Sequence, residues 1–199
     1  MITIIITVLL IIILLNSKVS KFITDPIYPF KQNTINRNIL LCGNSPEFTV
    51  NYQKYMTNVA NPFIIRFNTV LDHLPDSDKT DALVIAPVVL KNTTDEKYAL
   101  WKKRTQGIYF IDDFYNNNKI FDNIKQNNPD VLFTSGFTVL CYLLNYTNKI
   151  TLIGFNLPND YHTNSNWFSN DSPIWGGHNI DIEKQNLARL IKDYNINIV

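Results

Sequence analysis

Three short segments of this 199-residue chain carry residue types suited to phosphate binding, and one histidine suits proton transfer. Gly43-Asn44-Ser45-Pro46 joins a glycine, which lets backbone N–H groups approach a ligand, to an amide that can bond a ribose or phosphate oxygen. Arg66-Phe67-Asn68 sets a cation and a second amide two residues apart, on one face of a strand. Thr134-Ser135-Gly136 opens an apolar helical run. Helix starts offer anions free N–H groups and a partial positive charge. His178 follows Gly176-Gly177 and stands just before the last helical pattern. An imidazole there could take a proton from a hydroxyl near neutral pH, with Asp181 and Glu183 close behind it to tune it. Blander readings compete at every segment. Gly-Asn-Ser-Pro is ordinary turn composition, a strand-end Arg is commonly a surface charge, and a histidine before a helix serves as readily as a cap. His73 and His162 are the other histidines, and His73 sits among polar loop residues.

Other chemistries lack their residues. The Gly-Lys-Ser/Thr end of a phosphate-binding P-loop is missing, and so are GxGxxG and the GxSxG elbow of serine hydrolases. No His/Asp set stands at metal-ligand spacing, and Asp112-Asp113 reads as the cap region of a following helix. No metal and no organic cofactor is expected. With 45% hydrophobic and 18% charged residues the chain can build a core, which excludes global disorder. A net charge of +1 gives no bulk electrostatic case for nucleic acid. The two cysteines, Cys42 and Cys141, read as buried thiols, with a single disulfide as the alternative.

The elements that must position these residues alternate. Strand patterns fall at 38–42, 63–67, 82–86, 107–111, 131–133, 150–155 and 196–199, mostly as continuous apolar runs of the kind covered on both faces. Helical patterns fall at 47–58, 94–104, 114–126, 137–145 and 180–194. The expected fold is α/β: a Rossmann-like parallel sheet with helices on both faces, forming one domain over 38–199. Ligands collect beyond the C-terminal strand ends of such sheets, near the switch in strand order, and four segments fall at such ends: Gly43–Pro46, Asn68, Thr134–Gly136, and Asn156 with the loop to His178.

Residues 1–15 carry no charge and are read as an N-terminal membrane anchor or signal, although they are fewer than the ~20 an upright spanning helix needs. Lys18 and Lys21 follow the run, which by the positive-inside tendency leaves the rest of the chain cytosolic. Asn-x-Ser/Thr sequons at Asn92, Asn145 and Asn170 would matter only in a secretory lumen. Residues 16–37, with Pro26 and Pro29, read as a stem.

Taken in order, the segments resemble the sialyltransferases of glycosyltransferase family 29, with the bacterial sialyltransferases of family 42 as a second match. Cys42-Gly43-Asn44-Ser45 through Ile65-Arg66-Phe67-Asn68 resembles the large sialyl motif. Phe133 to Phe137 through Ile153-Gly154-Phe155 resembles the small motif. Tyr161-His162 through Trp167-Phe168 resembles the third, and His178 with Glu183 has the His-x4-Glu spacing of the very small motif. The resemblance implies a GT-A-like fold, a CMP-sialic acid donor, a glycan acceptor and metal-independent transfer with inversion. His178 would be the base, with His162 and Glu183 as further catalytic candidates. Gly43, Asn44, Ser45, Asn68, Thr134, Ser135, Gly136 and Tyr161 would bind the donor nucleotide. It also implies an anchored Golgi-type enzyme and a disulfide between the large and small motifs, where Cys42 and Cys141 fall. Rival readings are a non-catalytic membrane-associated α/β domain that binds glycan or protein, and an unrelated nucleotide-binding enzyme.

Overall fold

The computed structural model describes residues 27–43, 61–72, 74–155 and 179–199. They form a parallel sheet of six strands: β1 (Ile39–Cys42), β2 (Phe63–Phe67), β3 (Thr80–Ile85), β4 (Thr105–Phe110), β5 (Ile150–Ile153) and β6 (Asn197–Ile198). The spatial order is β4-β3-β2-β1-β5-β6. Six helices accompany it: α1 (Tyr28–Thr34), α2 (Pro87–Lys91), α3 (Asp95–Arg104), α4 (Lys119–Asn127), α5 (Ser135–Leu144) and α6 (Ile180–Tyr194). The α/β, Rossmann-like architecture read from the sequence is the one observed.

Every residue of β1, β2, β3 and β5 is buried, as continuous apolar strands between two helical layers must be. Alternation sends Ile39, Leu41, Phe63, Ile65 and Val84 to a face covered by residues of α1, α4, α5 and α6. Leu40, Cys42, Ile64, Leu83 and Ile85 face the other way, toward Trp101 of α3 and the 3-10 turn Val70–Asp72. Local chemistry starts and stops the helices. Thr94 Oγ1 accepts the Lys97 N–H at the start of α3, and Asn179 Oδ1 accepts the Ile182 N–H at the start of α6. Asn195 closes α6 in the left-handed region at φ 52°.

Three expectations are corrected. Residues 131–133 are no strand of the sheet: Val131 and Phe133 plug into the core while Leu132 is 58% exposed. A short apolar run between helices mimics a strand in sequence, and here it makes a single bridge at Leu132 and no strand of the sheet. The helix expected over 114–126 is two elements, a 3-10 turn Ile111–Phe114 and then α4. Asn117 at φ 58° breaks the path between them, and the fully buried Asn118 caps α4 through the Phe121 N–H while its Nδ2 donates to Phe114 O and Thr138 O. Within the stretch read as an irregular stem, residues Tyr28–Thr34 form the helix α1. Phe30 there is fully buried, with edge-on ring contacts to Phe63, Tyr109 and Phe114. The apolar run 1–15 and the helical pattern 47–58 lie outside the described residues. Among the described residues no helix is long and apolar enough to cross a membrane.

Both cysteines are free and buried, on opposite faces of the sheet, so the disulfide implied by the resemblance is not formed. Burial pushes the Cys42 thiol up to about 12, against a smaller lowering by Arg66, and burial also raises Cys141. A thiol whose folded pKa is raised stabilises the fold below its unfolded pKa of about 8.5 and loses that contribution as pH climbs toward the folded value. Urea unfolding will therefore show lower stability at about pH 10 than at neutrality, by about 2 kcal/mol per buried thiol, and Cys42→Ala will blunt the fall. Phe30→Ala will cost about 3–5 kcal/mol. A chain beginning at residue 38 will unfold in less urea than one beginning at residue 27, contrary to a stem that ends at residue 37.

Candidate active site

β1 is flanked by β2 on one side and β5 on the other, and the chain moves outward in opposite directions from these two. This is the switch in strand order, beyond whose carboxyl strand ends doubly wound sheets take ligands. Gly43 ends β1 at this switch, and its N–H donates to Ile153 O at 2.7 Å. A Cβ on Gly43 would sit 2.4 Å from Gly154 O and 2.9 Å from Gly154 C, so only glycine allows the two strand ends to close. Gly154 itself has φ 68°. The ring of Phe155 then lies across the start of α5, where a Cβ on Gly136 would meet it at 3.0 and 3.1 Å and the Phe67 ring at 3.8 Å. The ends of β1, β2 and β5 and the start of α5 thus converge on a few side chains.

Thr134 caps α5: its Oγ1 accepts the Phe137 N–H at 3.3 Å. The same hydroxyl donates to Glu183 Oε1 at 2.6 Å, and the Thr134 N–H donates to Glu183 Oε2 at 2.7 Å. Glu183 is fully buried in the early turns of α6. Its carboxylate therefore sits at the positive end of α5, held by charge-assisted bonds. These bonds tie the start of α5 to the start of α6. Expected as a catalytic candidate, Glu183 has the contacts of a positioning residue. Helix geometry gives the N–H groups of Ser135 and Gly136 no intrahelical acceptor, and both residues are half-buried.

Asn68 follows β2 at φ 56°. Its N–H donates to Val84 O at 2.9 Å and its Oδ1 accepts the Ala86 N–H at 3.0 Å, which fastens the ends of β2 and β3 together. The left-handed turn ends the alternation expected to put Asn68 on one face with Arg66. Arg66 is fully buried and pairs with Asp78 at 3.7 Å, so it is not the surface charge that a strand-end Arg commonly is. Of the expected site residues, Gly43, Thr134, Ser135, Gly136 and Glu183 are brought together, and Asn68 lies one strand away at the same sheet edge. Asn44, Ser45, Tyr161, His162 and His178 lie outside the described residues, as does His73. Phe67, Gly154 and Phe155 were not singled out as site residues. The signal that could have found them is their place at strand ends beside the switch. Among the described residues no group of three or more His, Cys, Asp or Glu could hold a metal ion.

The strand order, parallel throughout, with glycines at the switch and a capped helix beside it, defines a doubly wound α/β domain. Among solved structures the fold is similar to the α2,3-sialyltransferase from Campylobacter jejuni in apo form, at 19% identity and a TM-score of 0.53, covering 81% of this chain and 74% of that one. It is also similar to a variant of the sialyltransferase CST-II in complex with CMP, at 16% identity and a TM-score of 0.52, covering 81% and 80%. These neighbours are bacterial, so the likeness of fold falls on the second of the two resemblances. No protein-family model and no curated protein matches the sequence.

The clamp can be tested through its cap. Thr134→Val removes the hydroxyl from both the helix and the buried carboxylate, and will destabilise the protein by about 2–4 kcal/mol in urea unfolding. Thr134→Ser keeps the hydroxyl and will recover most of the loss.

Proposed function

We propose that this chain is a sialyltransferase-like glycosyltransferase that moves a sugar from a CMP-sugar donor, sialic acid being the expected one, to a glycan hydroxyl with inversion. The observation that carries the reading is the convergence of Gly43, Phe155 and the Thr134–Gly136 turn at the switch between β1 and β5, in a fold shared with sialyltransferases. That one of those neighbours is a complex with CMP supports a cytidine nucleotide as ligand.

In this reading the turn after β1, with Asn44 and Ser45, and the N–H groups of Ser135 and Gly136 surround the nucleotide. The helix start stabilises the phosphate as it departs. Asn68 supports from the end of β2. His178 takes the proton from the acceptor hydroxyl as its oxygen attacks the anomeric carbon from the side opposite CMP. The C–O bond to the CMP phosphate breaks, and the configuration inverts. Tyr161 and His162 face the leaving phosphate. Glu183 contributes by holding the start of α6, directly after His178 in sequence, against the nucleotide turn. The transfer needs no metal in this reading, and the run 1–15 tethers the enzyme to a membrane.

A panel of CMP, UDP and S-adenosylmethionine in thermal unfolding separates the readings. CMP at about a hundred times its Kd adds about 2.7 kcal/mol, a rise of about 5–10 °C in Tm for a chain of this size, and the other two add nothing. His178→Ala is expected to lower transfer at least about a hundredfold while the CMP shift persists. Stabilisation by UDP or S-adenosylmethionine instead of CMP, or full transfer by His178→Ala, refutes the proposal.

A further inference from the structure

The sheet edge opposite the candidate site carries a row of cations. In a parallel sheet all strands begin on one edge, and here the residue before β3 is Lys79, before β4 Arg104 and before β5 Lys149, with Arg37 two residues ahead of β1. Hydrogen bonds and register make the row continuous. Thr80 is in register with Thr105, which sets Lys79 beside Arg104. Lys79 Nζ donates to Asn61 Oδ1 at 3.2 Å, and Arg37 Nη2 donates to Asn61 O at 3.3 Å. Ile39, two residues on from Arg37, donates its N–H to Lys149 O at 2.8 Å. The last turn of α3, joined directly to β4, adds the exposed Lys102 and Lys103.

Two cations of the row are paired with acids, Lys79 with Asp81 and Arg104 with Asp76, which leaves Arg37, Lys149, Lys102 and Lys103 to carry the charge of this edge. Asp81, whose side chain is fully buried, accepts the Ile64 N–H and a bond from Gln106, with Lys79 at 3.5 Å. Asp78 pairs with buried Arg66, and Asp76 with Arg104 at 3.3 Å. Meanwhile Asp95 and Glu96 start α3, and Asp112 and Asp113 follow β4, at the other edge. Complementing a helix dipole explains the cations of α3. It does not explain Arg37, Lys79 and Lys149, which precede strands, because sheets have almost no dipole to offset.

Ile35, 40% exposed, stands just before this row, at the C-terminal end of α1. An apolar residue among cations suits a bilayer interface. The chain before Ile27 leads to the charge-free run 1–15, followed by Lys18 and Lys21. The eleven residues 16–26 can span roughly 36–40 Å extended, several times the ~10 Å length of α1, so the run can reach beneath the row. We propose that this edge is a membrane-docking surface for anionic lipid. The run 1–15 enters the bilayer, the cation row lies on the headgroups, and the candidate site at the β1–β5 switch faces away from the membrane. The orientation does not depend on which reaction that site performs.

The test uses the full chain and sedimentation with vesicles of neutral phosphatidylcholine, or of phosphatidylcholine with phosphatidylglycerol. Binding is expected to both, but at least about tenfold tighter to the anionic vesicles, with the difference lost in high salt. The triple variant Lys102→Glu, Lys103→Glu, Lys149→Glu will lose the anionic preference and keep neutral-vesicle binding. Lys91→Glu, at the other edge, will change neither. An environment-sensitive dye on Lys149→Cys will shift to the blue on anionic vesicles, while the same dye on Lys91→Cys will not, and this readout stands even if the triple variant fails to fold. Equal affinity for neutral and anionic vesicles, no binding to either, or a blue shift at position 91 as large as that at 149 overturns the proposal.

Discussion

Two backbones meet at Gly43 and Gly154 at a distance that excludes any side chain, and much of the architecture near the switch follows from that approach. A Cβ at 2.4 Å from a carbonyl oxygen is a hard clash, so any other residue at 43 would push β5 from β1. The N–H of Gly43 extends the ladder one residue past β1 through Ile153 O. Closing the strands at this point delivers Phe155 to the start of α5, where Gly136 leaves room for its ring. One contact at the switch thereby sets the relation of a strand end to a helix start.

The second constraint is electrostatic. A fully buried carboxylate is costly unless its oxygens are bonded, and Glu183 meets that cost with a backbone amide and a hydroxyl of one residue. The hydroxyl also serves α5, so the cap, the carboxylate and two helix starts form a single unit. Packing and polarity act on the same few residues: Gly136, whose size admits Phe155, lies two residues beyond the threonine that holds Glu183.

Much of this was legible in the sequence, for physical reasons. β2 runs Phe63–Phe67 as read, because four apolar residues interrupted only by Arg66, between Asn61-Pro62 and Asn68, have few alternatives. α6 runs Ile180–Tyr194 as read, because its apolar spacing, the cap Asn179 and the terminator Asn195 agree. The glycine and threonine turns were legible because strand ends beside a switch collect such residues. What failed were cases where tertiary contact overrides local pattern. α1 is only seven residues long, with Pro29 as its second residue, so its polar letters hid a helix that Phe30 anchors. The segment 131–133 had the letters of a strand, yet it joins the six-stranded sheet nowhere and makes a bridge only at Leu132. Asp78 could not have been matched to Arg66, since nothing local joins residues twelve apart in a loop.

The placement of the sulfur atoms has a consequence for how this protein is made. The sequence holds two cysteines, and the full thickness of the sheet stands between them in the folded molecule. No oxidant can join them within one native chain. The fold accordingly owes nothing to the redox poise of its surroundings, and the described domain can assemble in a reducing cytosol or an oxidising lumen with both thiols unpaired.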